Sequence, residues 1–165
     1  MSTGAEAGAS VTAIGVGNEL RGDDAAGLLV ARRLRDRVPA GVRVVEREGE
    51  PTALLDAWAG SDSVLVIDAV YSGAPPGTVH RLDAAVEPIP ARLAGGSTHA
   101  FSVGEAVELG RALDRLPDRL VVLGIEGARF EAGDRVAPEV EDAVERAVDA
   151  ALGEIESMLA EVGPR

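Results

Sequence analysis

Cysteine is absent from the 165-residue chain, which excludes disulfides, thiolate metal ligands and a thiol nucleophile together. Aromatic residues make up only 2% of the chain while hydrophobic residues reach 46%. A core therefore has to be assembled from alanine, valine, leucine and isoleucine, small side chains that suit close packing of helices on a sheet. Positive charge is also scarce: 16 basic residues are scattered among 28 acidic ones, for a net charge of −12. A phosphate backbone would be repelled, so nucleic acid is not an expected partner. No apolar run approaches the length that spans a bilayer. Residues 1–10, MSTGAEAGAS, have neither the basic nor the apolar region of a signal peptide. These absences set the expectations: a flexible tail over 1–10, one domain over 11–160, a short tail over 161–165, and a cytoplasmic monomer without a membrane partner.

What is present is an alternation of two periodicities. Val11–Val16 is a short apolar run that reads as a buried strand, and from Asp24 to Val38 apolar residues recur at helical spacing. Val42–Val45 predicts a second strand, Pro51 opens a helix through Trp58, and Ser63–Asp68 is the strongest buried-strand signal. Thr78–Leu82 follows Asp68 too closely for a crossover helix and reads as an antiparallel strand. Pro88–Gly96 reads as loop or a broken helical turn, and Ser102-Val-Gly-Glu105 fits a capping box for a helix that stops before Pro117. Leu120–Ile125 is a fifth strand, and Pro138 opens a long amphipathic helix through Leu159. Strands alternating with helices predict an α/β fold with a mainly parallel sheet.

In such sheets ligands bind beyond the carboxyl ends of the strands. Asp23 and Asp24 follow the first strand, Asp68 ends the third, and His99 lies in a loop ahead of a helix. Two carboxylates and an imidazole suit zinc, nickel, iron or manganese, and equally a metal-free acid–base pair; spacing alone does not decide. Each residue also has a plainer reading. Asp23 or Asp24 caps the following helix, Asp68 caps a turn through the amides of Val70 or Tyr71, His99 is a surface histidine, and His80, within a strand, is structural. Gly15 and Gly17 have the spacing of a dinucleotide fingerprint, but Leu20 stands where its third glycine belongs. Asp23 and Asp24 also crowd the helix terminus that would hold a pyrophosphate.

Taken together, Gly15-x-Gly17-Asn18-x-Leu20-x-x-Asp23-Asp24-x-x-Gly27 resembles the N-terminal signature of the hydrogenase maturation endopeptidases. The resemblance extends from about Val11 to Leu159. It includes Val64–Val70 as a third-strand motif, Ser97-Thr-His99 as a histidine loop, and Gly124-Ile-Glu-Gly127 with Pro138-Glu-Val140 in the C-terminal third. It implies a three-layer α/β/α sandwich around a mixed five-stranded sheet whose fourth strand is antiparallel. The implied activity is endopeptidase removal of the C-terminal extension from a nickel-loaded [NiFe] hydrogenase large-subunit precursor. Asp24, Asp68 and His99 are then the catalytic and metal-binding trio, and the nickel is borne by the substrate. Glu48-Gly49 departs from the family's Asp-Gly pair after the second strand, leaving the acid one methylene longer. A non-catalytic accessory module for hydrogenase assembly is the competing reading. A peptidyl-tRNA hydrolase-like esterase is a further one, opposed by the charge and by the lack of any histidine between Asn18 and His80.

Overall fold

A computed structural model describes residues 11–90, 93 and 100–161. The chain runs β1 (Val11–Val16), a 3-10 turn (Gly22–Ala25), α1 (Ala26–Leu34), β2 (Arg43–Arg47), α2 (Pro51–Trp58), β3 (Ser63–Val70) and β4 (Val79–Asp83). It continues through α3 (Ala100–Ala112), β5 (Arg119–Glu126) and α4 (Pro138–Glu161). The five strands form one sheet in the order β2-β1-β3-β5-β4. β1, β2, β3 and β5 are parallel, and β4 pairs antiparallel with β5.

Side-chain alternation along the strands builds the three layers. Ala13, Leu65, Ile67, Leu123 and Ile125 face α1 and α4, packing on Val30, Leu34, Val140, Val144 and Val148. Ile14, Val66, Leu120 and Val122 face the other way, onto Leu54, Leu55 and Trp58 of α2 and Val103 and Val107 of α3. Both faces are covered, which is why β1 and β3 are buried at every position. Trp58, the single tryptophan, is buried in the second layer and donates its indole N–H to the Arg115 carbonyl at 3.0 Å.

The scarcity of large side chains has a local purpose where α1 meets the sheet. A Cβ on Gly27 would lie 2.3 Å from the Ile67 carbonyl oxygen and 2.4 Å from that of Val16, and one on Gly15 would lie 2.5 Å from the Ala31 Cβ. The helix thus sits directly on the strand backbones. Gly27→Ala is expected to lift α1 and cost about 1–3 kcal/mol, read as a lowered thermal midpoint.

Several boundaries differ from expectation. Ser102 lies inside α3, which starts at Ala100, so it does not cap that helix; the segment ahead of it, including most of Pro88–Gly96 beyond Pro90, lies outside the described residues. β3 continues to Val70, placing Asp68 within the strand rather than at its end. β4 is antiparallel as its spacing requires, but it pairs with β5 instead of β3. The turn 71–78 spans the slot that β5 later fills, closed by Gly127 N–H to Val70 O (2.9 Å) and Gly77 N–H to Glu126 O (2.7 Å).

Candidate active site

The sheet order places β1 between β2 and β3, with α1 on one face and α2 on the other. The crevice at the carboxyl ends of β1 and β3 is therefore the topological switch point. Asp24 reaches it from the 3-10 turn after β1, and Asp68 from β3.

Asn18 shapes the turn. Its side-chain oxygen accepts from Leu20 N–H at 2.9 Å, and its own N–H donates to Asp24 Oδ2 at 2.9 Å. Asp68 is 2% exposed and accepts from the N–H of Ala69 at 2.8 Å, so it does not cap the turn at Val70 and Tyr71. Burial pushes its carboxyl well above the usual carboxylate range, the negative charge of Asp24 pushes it further, and the Ala69 hydrogen bond offsets part of this. Two acids whose charges oppose each other in a buried crevice form a site that favours either a shared proton or a bound cation.

Asp23 and Asp24, adjacent in sequence, divide two tasks. The N-cap position of α1 is Ala25, which makes no side-chain cap hydrogen bond, and Asp23 spends its carboxylate on the loop after β5 instead. Asp23 is fully buried and accepts three backbone N–H groups from the loop after β5: Ala128 (2.7 Å), Arg129 (2.8 Å) and Ala137 (2.7 Å). Its own N–H donates to Arg129 O at 2.7 Å, and Gly133 N–H donates to Leu20 O at 2.9 Å. The turn carrying Asp24 is thus clasped to a loop more than a hundred residues away.

His99 lies outside the described residues. Leu93 and Val103, on either side of it in the chain, both line a narrow cavity with Asp68, His80 and Gly124. Gly124 is the register partner of both Asp68 and His80. With no side chain between them, the acid and the imidazole face the same gap. His80 was expected to be structural; its Nε2 is buried without a hydrogen-bond partner among the described residues and lies 3.8 Å from Glu126.

Glu126 is the residue the sequence reading passed over. It is fully buried at the end of β5 and accepts from Ser72 N–H (2.9 Å), the Ser72 hydroxyl and Ala74 N–H (3.0 Å), fixing the loop that carries Tyr71 beside the crevice. The signal was available: a carboxylate closing the apolar run LVVLGIE repeats the pattern that singled out Asp68 in VLVID. Among the described residues no group of three or more Asp, Glu or His is placed to hold a metal ion.

Fold and crevice define a class: a three-layer α/β protein with buried carboxylates at its switch point, an enzyme-like arrangement. Known proteins make the assignment specific. The hydrogenase maturation protease family model matches residues 29–155. The chain is 26% identical over 159 residues to hydrogenase 2 maturation protease of Escherichia coli, covering 94% of this chain and 96% of that one. It is 25% identical over 148 residues to the hydrogenase expression/formation protein HupD of Thiocapsa roseopersicina, a match that covers 86% of this chain and spans 66% of that protein's length. Its fold superposes on the E. coli hydrogenase maturating endopeptidase HybD with a TM-score of 0.75 at 26% identity, covering 90% of this chain and 93% of that one. The [NiFe] hydrogenase maturation protease HybD of Thermococcus kodakarensis gives a TM-score of 0.65 at 26% identity, covering 86% and 96%. The chain belongs to the hydrogenase maturation protease family, and with it to the peptide hydrolases.

Proposed function

We propose that this chain removes the C-terminal extension of a [NiFe] hydrogenase large-subunit precursor, and that Asp24, Asp68 and His99 engage the nickel that the precursor carries. The observation supporting this reading is the meeting of Asp24 and Asp68 at the switch point, with Asp68 buried and held above its ordinary titration range by burial and by Asp24. A cation delivered by the substrate relieves both effects, letting the two carboxylates ionise and bind it. His99 supplies the borderline nitrogen donor of the set.

Peptide hydrolysis at this crevice needs a water next to the scissile carbonyl and a group that takes its proton. Nickel supplies Lewis acidity toward the oxygen atoms held near it. Asp68, buried at the crevice beside Asp24, is the carboxylate that takes this proton. Asp24 is held by Asn18 in a fixed orientation and acts as an anionic anchor for the cation.

The test is incubation with a nickel-loaded precursor. Wild-type protein is expected to shorten the precursor, seen as a size shift on gels and a defined cleavage site by mass spectrometry, whereas Asp24→Ala leaves it intact. No shift with wild type sinks the protease reading for this substrate, and normal cleavage by Asp24→Ala sinks the site assignment.

A further inference from the structure

The chain contains no lysine, so each of its 16 basic residues is an arginine, set among 28 acidic side chains. Most of the described arginines are engaged. Eight pair with aspartate or glutamate, and Arg43, Arg47 and Arg146 donate to main-chain oxygens. Arg21, Arg129 and Arg135 do neither: all three are exposed, and among the described residues their side chains have no ion pair or hydrogen bond.

These three stand on segments far apart in sequence that the fold joins beside the crevice. Arg21 precedes the 3-10 turn that carries Asp24, and Arg129 and Arg135 belong to the loop after β5. Asp23 grips the main chain of Arg129 twice, accepting its N–H at 2.8 Å and donating to its oxygen at 2.7 Å. A Cβ on Gly22, next to Arg21, would lie 2.4 Å from that same oxygen and 2.8 Å from the Cβ of Asp134, the neighbour of Arg135. The acids of the loop, Glu131 and Asp134, pair with neither arginine; Asp134 instead accepts the Glu131 N–H at 3.1 Å. Phe130 adds an aromatic contact to this surface. It meets Tyr71, which is 47% exposed and three residues beyond Asp68, edge-on with ring centroids 6.0 Å apart.

The result is a pattern of signs, with carboxylates in the crevice that attract a cation and guanidinium groups on its rim that attract carboxylates. None of the three arginines lines the cavity beside Asp68 or the concavity between the β1–α1 turn, α1 and β2, so they offer no walled site to a small anion. A nucleic acid is repelled by the chain's overall charge. A protein surface fits: arginine and tyrosine are the residues that anchor protein interfaces, and guanidinium groups meet carboxylates in two-pronged pairs.

We infer that Arg21, Arg129 and Arg135, with the Tyr71–Phe130 pair, form a docking surface for an acidic patch on the folded body of the substrate protein, beside the metal that it presents to Asp24 and Asp68. The inference rests on the protease reading above and adds to it how the precursor is captured. Charges on a rim act on encounter more than on the bond to be cut, so their loss slows association.

Two measurements on the full chain test this. In the first, intact nickel-loaded large-subunit precursor is bound to Asp24→Ala protein and to the same protein carrying Arg21→Glu, Arg129→Glu and Arg135→Glu. The three reversals are expected to raise Kd on the order of tenfold or more, mainly through a slower on-rate, and added salt is expected to weaken the parent and leave the reversed protein nearly unchanged. Arg21→Glu alone is expected to raise Kd about threefold, and it replaces the triple change should that lower the thermal midpoint. In the second, cleavage is followed in the wild-type background: the reversals are expected to raise KM with kcat unchanged, and lysine at the three positions to restore most of it. Arg115→Glu, before β5 at the opposite end of the sheet and paired with Asp56, makes the same change in net charge per residue and is expected to alter neither constant. Equal affinity with and without the reversals, or no measurable binding by either protein, overturns the docking surface and leaves the protease reading to the cleavage assay. Arginine-dependent binding without cleavage by wild type sustains the docking surface and overturns the protease reading.

Discussion

Asp68→Asn is expected to abolish precursor cleavage, by on the order of 10³-fold or more, and at the same time to make the substrate-free protein more stable. The two effects have one cause. Burial and the charge of Asp24 raise the Asp68 carboxyl well above its ordinary range, so its native-state pKa exceeds the unfolded value of about 3.9. Between those two values the native protein binds more protons than the unfolded chain, and stability falls as pH rises through that window. Asparagine removes the titration and keeps the shape. Its stabilisation is expected to be about 1–2 kcal/mol near neutral pH, roughly 2–4 °C in thermal midpoint for each kcal/mol. The gain shrinks toward low pH, where Asp68 is protonated in both states. Thermal midpoints of the two proteins measured across pH check this, and parallel curves for wild type and variant would contradict it.

The opposite effect on stability is expected at Asp23. Asp23→Ala removes a buried acceptor for three main-chain N–H groups at 2.7–2.8 Å. It leaves the N–H groups of Ala128, Arg129 and Ala137 without their partner. Hydrogen bonds to a charged acceptor contribute about 1.5–3 kcal/mol each, and buried orphaned donors add a further cost. A loss of about 3–5 kcal/mol is expected, a drop on the order of 10 °C in thermal midpoint. Asp23→Asn, which keeps one acceptor oxygen, falls between. Calorimetry showing either variant within a degree of wild type would refute the clasp as a stabilising element.

Asp23 and Asp24, to which the fold gives different tasks, could not be told apart from sequence. Both were candidate caps for α1, and the motif GDDAAG offers no local reason to separate them. The distinction comes from the loop at residues 128–137, whose unpaired amides only the folded chain brings to Asp23. By contrast, the alternation of strand and helix, the buried nature of β3 and the antiparallel β4 were legible, because continuous apolar runs and short turn-rich connections follow from burial on both faces. The position of β4 beside β5 was not legible, since it depends on a strand that arrives later in the chain. The role of Glu126 was not legible, because Ser72 and Ala74, whose groups it binds, lie more than fifty residues away in sequence and meet it only in the fold. Asp68 was legible as a buried carboxylate from its setting in VLVID, and burial is the larger cause of its raised pKa; the further push from Asp24, forty-four positions earlier, comes from tertiary structure alone.

The pairing of clasp and crevice carboxylate within the Asp23-Asp24 dipeptide also has a mechanical side. Consecutive Cα atoms are ~3.8 Å apart and the peptide between them is rigid, so the carboxylate at 24 inherits its position from the one at 23. The loop after β5 thereby serves as the datum from which the crevice is measured: an insertion or cleavage between Gly127 and Ala137 would be transmitted to Asp24 through a single peptide unit, as a misalignment of the crevice rather than as a loss of any of its residues.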